Sequence, residues 1–131
     1  MKRLFNYLLL ISALFIVGCS NNEENDNGQS LSYESLIVGE WEFYRYDYYD
    51  GRGGDVDNEY WIFNSDGSGY YYTPDITAQI DYFNWSIDGT VLHLGGEDLW
   101  DIESLTTDKM TLKLQIGPLS NEWVKYHFKK N

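Results

Sequence analysis

The sequence predicts an all-β domain, a small eight-stranded antiparallel up-and-down meander that closes into a barrel. Three observations carry that expectation. Turn signals recur at intervals of about 8 to 15 residues, with period-two runs between them. Five Trp, six Phe and twelve Tyr against only two Pro favour strands over helices. From Leu31 onward roughly 100 residues remain, enough for one domain with one core, and none of that length carries a sustained helical period.

The chain before that domain reads differently. Lys2 and Arg3 precede "LFNYLLLISALFIVG", an apolar run over 4–18 that is short of the ~20 residues a bilayer span needs, so 1–18 reads as a secretory signal. It ends in "IVGC", where small Gly18 stands before Cys19, and this resembles the lipobox cut by lipoprotein signal peptidase. The resemblance implies that Cys19 becomes the lipidated first residue of an exported protein anchored to the outer membrane. Acylation with two or more chains holds a protein firmly on a bilayer. Cys19 is the only cysteine, so no internal disulfide framework can form.

Residues 19–33 then read as a flexible acidic tether, because "SNNEENDNGQS" has no aliphatic or aromatic residue to bury. Its acidic cluster resembles the signal by which one lineage of Gram-negative anaerobes exports lipoproteins to the cell surface. Residues 34–131 form the folded domain. The chain carries a formal charge of −12, and loss of Lys2 and Arg3 with the leader takes it to −14. That charge argues against nucleic acid or an anionic membrane face as a partner.

Strands are expected over 40–49, 59–64 ("EYWIFN"), 69–73 ("GYYYT"), 80–88 ("IDYFNWSID"), 90–94 ("TVLHL"), 99–105, 109–116 and 122–129. Between the first two lies "DGRGGDVDN", which reads as an acidic, glycine-rich loop; Asp88 and Gly89 turn the fourth strand into the fifth. Residues 33–38 supply one helical turn that plugs an end. "NSDG" suits a type I turn followed by glycine in the left-handed region, a loop that pairs Asn64 with Ser68. Closure of the eight strands removes the exposed edges that invite aggregation.

Alternation assigns the inward residues: Trp41 and Phe43; Trp61 and Phe63; Phe83, Trp85 and Ile87; Leu92 and Leu94; Trp100 and Ile102; Met110, Leu112 and Leu114; Val124, Tyr126 and Phe128. An eight-stranded barrel has room for packed side chains or one small ligand. With this much indole and phenyl inside, a mostly filled barrel with a shallow mouth is expected.

Gly39, Glu40 and Trp41 at the start of the first strand resemble the G-x-W fingerprint of lipocalins, and Thr107 and Asp108 the first two residues of that family's T-D-Y motif, with Lys109 in place of tyrosine. Where the family has an arginine across the tryptophan, this chain offers Lys129 and Lys130. In order, "GEW", "FNSDGSG", "WSIDG" and "YHFKK" resemble the lipocalin-like domains of small Gram-negative lipoproteins. The resemblance implies the fold and leaves the function open.

Two sets of aromatic residues are candidate sites. Trp41, Trp61, Phe83, Trp85 and Trp100 would line a ligand-binding mouth. Counted from the "NSDG" turn, Trp61 faces Tyr71 inside the barrel, while Tyr60, Ile62, Tyr70 and Tyr72 lie outside. With Tyr44, Tyr46 and Tyr48 on the first strand and Tyr82 on the fourth, seven of the twelve tyrosines would gather on the exterior as a recognition surface. Arg45, Asp47, Asp81 and Asn84 would supply its polar neighbours.

Catalytic and metal signals are thin. His93 and His127 alternate with inward residues and read as surface imidazoles. Glu40 with Glu42, and Asp101 with Glu103, are spaced for acid-base work on a glycoside but are equally what a chain with 21 acidic residues produces by chance. "NSDGSG" lacks the end ligands of a calcium loop: alignment on Gly67 puts Ile62 and Thr73 at those positions. Asp47, Asp50, Asp55, Asp57 and Glu59 form a better oxygen-rich stretch, but one that also reads as a solvated loop. No catalysis, cofactor or metal is expected. The expectation is a lipid-anchored, non-enzymatic binding module of the envelope with two open readings: a small apolar or amphipathic ligand in the mouth, or a glycan or envelope protein on the tyrosine face.

Overall fold

The structure, a computed structural model, describes residues 30–75 and 80–131. The leader 1–18, Cys19 and the tether to residue 29 lie outside the described residues. A five-residue helix α1 (Tyr33–Ile37) leads into strands β1 (Gly39–Tyr48), β2 (Gly53–Phe63), β3 (Ser68–Tyr72), β4 (Ile80–Asp88), β5 (Val91–Leu94), β6 (Asp98–Leu105), β7 (Lys109–Gln115) and β8 (Trp123–Lys130). Each strand pairs antiparallel with the next, and β8 pairs back on β1 to close the barrel.

Every inward residue assigned by alternation is buried or packed against the core. Ile37 and Leu105 join them. The second hairpin has the expected register: Asn64 N–H donates to the Ser68 carbonyl at 2.8 Å, Gly67 has φ +85°, and Trp61 stands opposite Tyr71. The β4–β5 turn is one residue later than expected, at Gly89 and Thr90, because Asp88 pairs with Val91. Gly69 is glycine because a Cβ there would stand 2.4 Å from Phe83; without one, the Phe83 ring reaches 5.4 Å from that of Phe63.

Helix α1 is too short to be stable by propensity and is held by its caps and its packing. The Ser32 hydroxyl accepts from Ser35 N–H at 3.3 Å, and Ile37 is fully buried. The helix lies against β4 and β6, across the end of the barrel where β1 starts. There the Trp41 indole N–H donates to the Ile37 carbonyl at 2.7 Å. Lys130 lies over the Trp41 ring at 4.6 Å and donates from Nζ to the Leu36 and Val38 carbonyls at 2.9 and 2.6 Å. Those carbonyls are the orphan acceptors at a helix C-terminus, and a cation is a favourable partner for them. The lysine stem passes so close to Gly39 that a Cβ there would meet its Cε at 2.8 Å.

The first strand departs from simple alternation. Phe43 pairs with Phe128, yet Arg45 pairs with His127, so Tyr44 and Arg45 share one partner position in a β-bulge. Beyond it the parity is inverted. Tyr46 stands opposite Tyr126 and Tyr48 opposite Val124, both inward positions, while Arg45 and Asp47 face out. Tyr46 packs against the core accordingly. The outward placement expected for Tyr46 and Tyr48 is therefore corrected, since a bulge flips every residue after it to the opposite face. The partner strand is irregular at the same level: the pairs Phe43–Glu59 and Arg45–Asp55 enclose three residues of β2, among them Asn58 at φ +58°. Residues 53–58, expected as loop, belong to β2.

Candidate functional site

Among the described residues, the end of the barrel opposite α1 is open. A cavity of about 350 Å³ sits in this mouth, walled by Phe43, Trp61, Tyr71, Phe83, Leu94, Trp100 and Tyr126 with Glu59, Gly95 and Asp98. Parity explains the membership. Glu59, Trp61 and Tyr71 are inward positions near the bulge and the β3–β4 connection, and Asp98, opposite Leu94, opens β6. The rings are mutually braced: Trp61 stacks on Tyr71 at 5.5 Å and meets Trp100 edge-on at 6.5 Å, and Phe43 stacks on Tyr126 at 4.4 Å.

Polar atoms in this wall have distinct environments. The Trp61 indole N–H donates to Glu59 Oε1 at 2.8 Å, which holds that carboxylate in the mouth. A hydrogen bond to the Asp81 carboxylate, then burial, raises the Tyr71 phenol above its usual range; burial raises that of Tyr126. The Trp100 indole N–H is buried with no acceptor among the described residues.

Of the five residues expected to line a ligand site, Trp61, Phe83 and Trp100 do so. Trp41 and Trp85 do not and are corrected. Trp41 is sealed beneath α1 and Lys130, and the Trp85 indole N–H is tied to the Asn64 and Ser68 carbonyls at 3.1 and 3.0 Å. Parity told inside from outside but not one end of the barrel from the other. Glu59, Tyr71, Asp98 and Tyr126 were not anticipated at the site. They occupy inward positions at the same level as Trp61 and Trp100, a signal that pairing register along the whole meander would have exposed.

The outer tyrosines form a smaller cluster than expected. Tyr60 stacks on Tyr72 at 5.4 Å, and Tyr70 lies 6.1 Å from Tyr72 and 5.9 Å from Tyr82, which is 78% exposed. Ile62, outward beside Tyr70, is buried all the same. Tyr44 is outward but its ring meets His127 and Lys129 instead. Of the polar neighbours expected there, Asp81 turns to Tyr71 at the mouth.

Several other carboxylates are engaged on the outer wall. Glu42 pairs with Lys129 at 3.1 Å, Glu103 with Lys125 at 2.7 Å, and Glu40 with Asn131. Asp47 accepts from Arg45 at 2.7 Å and lies 2.9 Å from His127 Nε2, whose other ring nitrogen contacts Thr111. Asp55 also meets Arg45, and Asp50 pairs with Arg52. In the acidic run of 47–59, Asp47 and Asp55 thus share Arg45 while Asp50 has Arg52, and among the described residues no three His, Cys, Asp or Glu side chains converge on a metal-sized point.

The family described as a lipocalin-like domain matches residues 37–112. A lipocalin-like protein from Bacteroides uniformis aligns with 73% of this chain and 99% of its own at 19% identity and a TM-score of 0.58. An uncharacterized protein from Bacteroides eggerthii does so over 72% and 99% at 20% identity, with a TM-score of 0.54. These are likenesses of fold. No curated protein matches the sequence.

Proposed function

Because the chain belongs to the lipocalin-like domain family, we propose that it is a non-enzymatic binding module that takes a small apolar or amphipathic molecule into the mouth of its barrel. The observation that carries this reading is the cavity of about 350 Å³ with six aromatic rings in its wall. Ligand pockets start at about 300 Å³ and combine apolar walls with a few placed polar groups. Against a catalytic reading, the carboxylate pairs of the outer wall are taken up by lysines or lie apart from the cavity. Lipid attachment at Cys19 would hold the module on the outer membrane, and intact mass of the wild type beside Cys19→Ser tests that part.

Uptake of the neutral dye Nile red tests the pocket. Its fluorescence should rise on the full chain and be lost in Leu94→Trp, which puts an indole into the mouth, with the circular dichroism spectrum and melting transition retained. An equal signal from both proteins would overturn the reading.

A second reading rests on the cluster of Tyr60, Tyr70, Tyr72 and Tyr82 with its exposed edge at Tyr82. Flat rings beside polar groups suit a glycan or a protein partner. Capture that is lost in Tyr72→Ala with Tyr82→Ala while dye uptake persists would favour it.

A further inference from the structure

The charge of the mouth narrows what it can hold. Every charged residue in the cavity wall is acidic: Glu59, half-buried, and Asp98 at the exposed rim, with Asp81 beside Tyr71. None of the three has a basic partner among the described residues, whereas Glu42, Glu103, Asp47, Asp50 and Asp55 on the outer wall all do. Lys130, the one cation drawn inward among the described residues, is spent on the plug at the other end. Uncompensated negative charge therefore lines the mouth, where low-dielectric walls focus its field.

The other wall atoms act in the same direction. Trp61, Tyr71, Phe83, Trp100 and Tyr126 present π systems around the cavity, and ring faces attract cations, most strongly when the cation is desolvated. The Trp61 hydrogen bond fixes the Glu59 carboxylate at this level rather than leaving it free to swing into water.

We propose, building on the pocket reading above, that the ligand is an organic ammonium compound: an aromatic or alkyl body seated among Trp61, Phe83 and Trp100, with its cationic group at the rim between Glu59 and Asp98. The same carboxylates exclude fatty-acid-like anions, which would bring a second negative charge into the mouth.

Calorimetric titration of the full chain with phenethylamine, phenethyl alcohol and phenylacetate separates charge from shape. The amine should bind at least about tenfold tighter than the alcohol, and phenylacetate weakest. Glu59→Gln, which keeps an acceptor for Trp61, combined with Asp98→Asn should erase the amine's advantage and leave the alcohol within about twofold. Equal affinities for all three compounds, in a protein that still takes up Nile red, would overturn the ammonium assignment and spare the pocket. An amine preference that survives the double substitution would overturn the assignment to Glu59 and Asp98. Absence of Nile red uptake together with absence of all three titrations would overturn both.

Discussion

Replacing Lys130 with alanine should detach the plug from the barrel. The ammonium donates to the Leu36 and Val38 carbonyls at 2.9 and 2.6 Å and lies over the Trp41 ring at 4.6 Å. Hydrogen bonds from a charged donor contribute about 1.5–3 kcal/mol each when well desolvated, and a cation–π contact about 1 kcal/mol. Burial lowers the Lys130 pKa from its usual value, which marks partial desolvation, so water can replace part of what is lost. We therefore expect Lys130→Ala to cost about 2–3 kcal/mol, or roughly 10–20 °C in Tm for a domain of this size. Urea unfolding followed by tryptophan fluorescence would give the value, with the slope against denaturant unchanged. Lys130→Met keeps the apolar stem and separates packing from hydrogen bonding; it should still lose more than about 1 kcal/mol. Lys130→Arg keeps two donors and the cation and should lose less than that. A loss below about 0.5 kcal/mol for Lys130→Ala would refute the reasoning, because the plug would then be held by Ile37 and Trp41 alone.

Three further outcomes follow from the same geometry. Trp41→Ala should cost about 3–5 kcal/mol in urea unfolding, since the indole is fully buried and its N–H serves the helix end. Tyr46→Ala should cost more than about 1 kcal/mol, because the bulge turns this ring inward, while Tyr82→Ala should stay within about 0.5 kcal/mol; equal effects would place the bulge wrongly. The hydrogen bond from Arg45, with its charge and that of His127, holds the Asp47 carboxyl below its ordinary 3.8. A depressed carboxyl pKa adds stability that is present above the unfolded value and lost as the pH falls through the folded one, so thermal melts of the wild type should fall on acidification below about pH 4. Asp47→Asn should flatten that acid limb, and an unchanged limb would show that the Arg45 pair does not contribute.

Much of the barrel was legible because its signals are local. "NSDG" specifies its own loop, the loop specifies the pairing of Trp61 with Tyr71, and period two then sorts the meander into inner and outer faces. Trp41 could be placed inside on the same grounds. What could not be read depends on partners distant in the chain. The bulge at Tyr44 and Arg45 appears only when β1 is laid against β8, about 80 residues away, and it reverses Tyr46 and Tyr48. Asp55 and Asp57 look like loop chemistry, yet a β2 strand runs through them because Arg45 and Tyr46 pair with Asp55 and Gly54 across the barrel wall. Depth along the barrel axis is equally non-local. Trp41 and Trp85 have the same parity as Trp61 and Trp100, and only α1 and the carbonyls around the β2–β3 turn take them out of the site. The acidic mouth was hidden because Glu59 and Asp98 look like ordinary surface carboxylates until the register turns them inward.

The five indole N–H groups provide a direct test of the central claim, that the end opposite α1 is a binding mouth. In a two-dimensional ¹⁵N–¹H correlation spectrum each tryptophan gives a separate side-chain signal. Trp61 and Trp100 stand in the cavity wall, Trp41 and Trp85 are hydrogen-bonded to carbonyls away from it, and Trp123 lies on the outer wall beside Lys113 and Lys125. Titration with phenethylamine should move the Trp61 and Trp100 signals together along one saturating curve and leave those of Trp41, Trp85 and Trp123 in place. Saturable shifts confined to Trp41, Trp85 or Trp123, with Trp61 and Trp100 unmoved, would contradict the account.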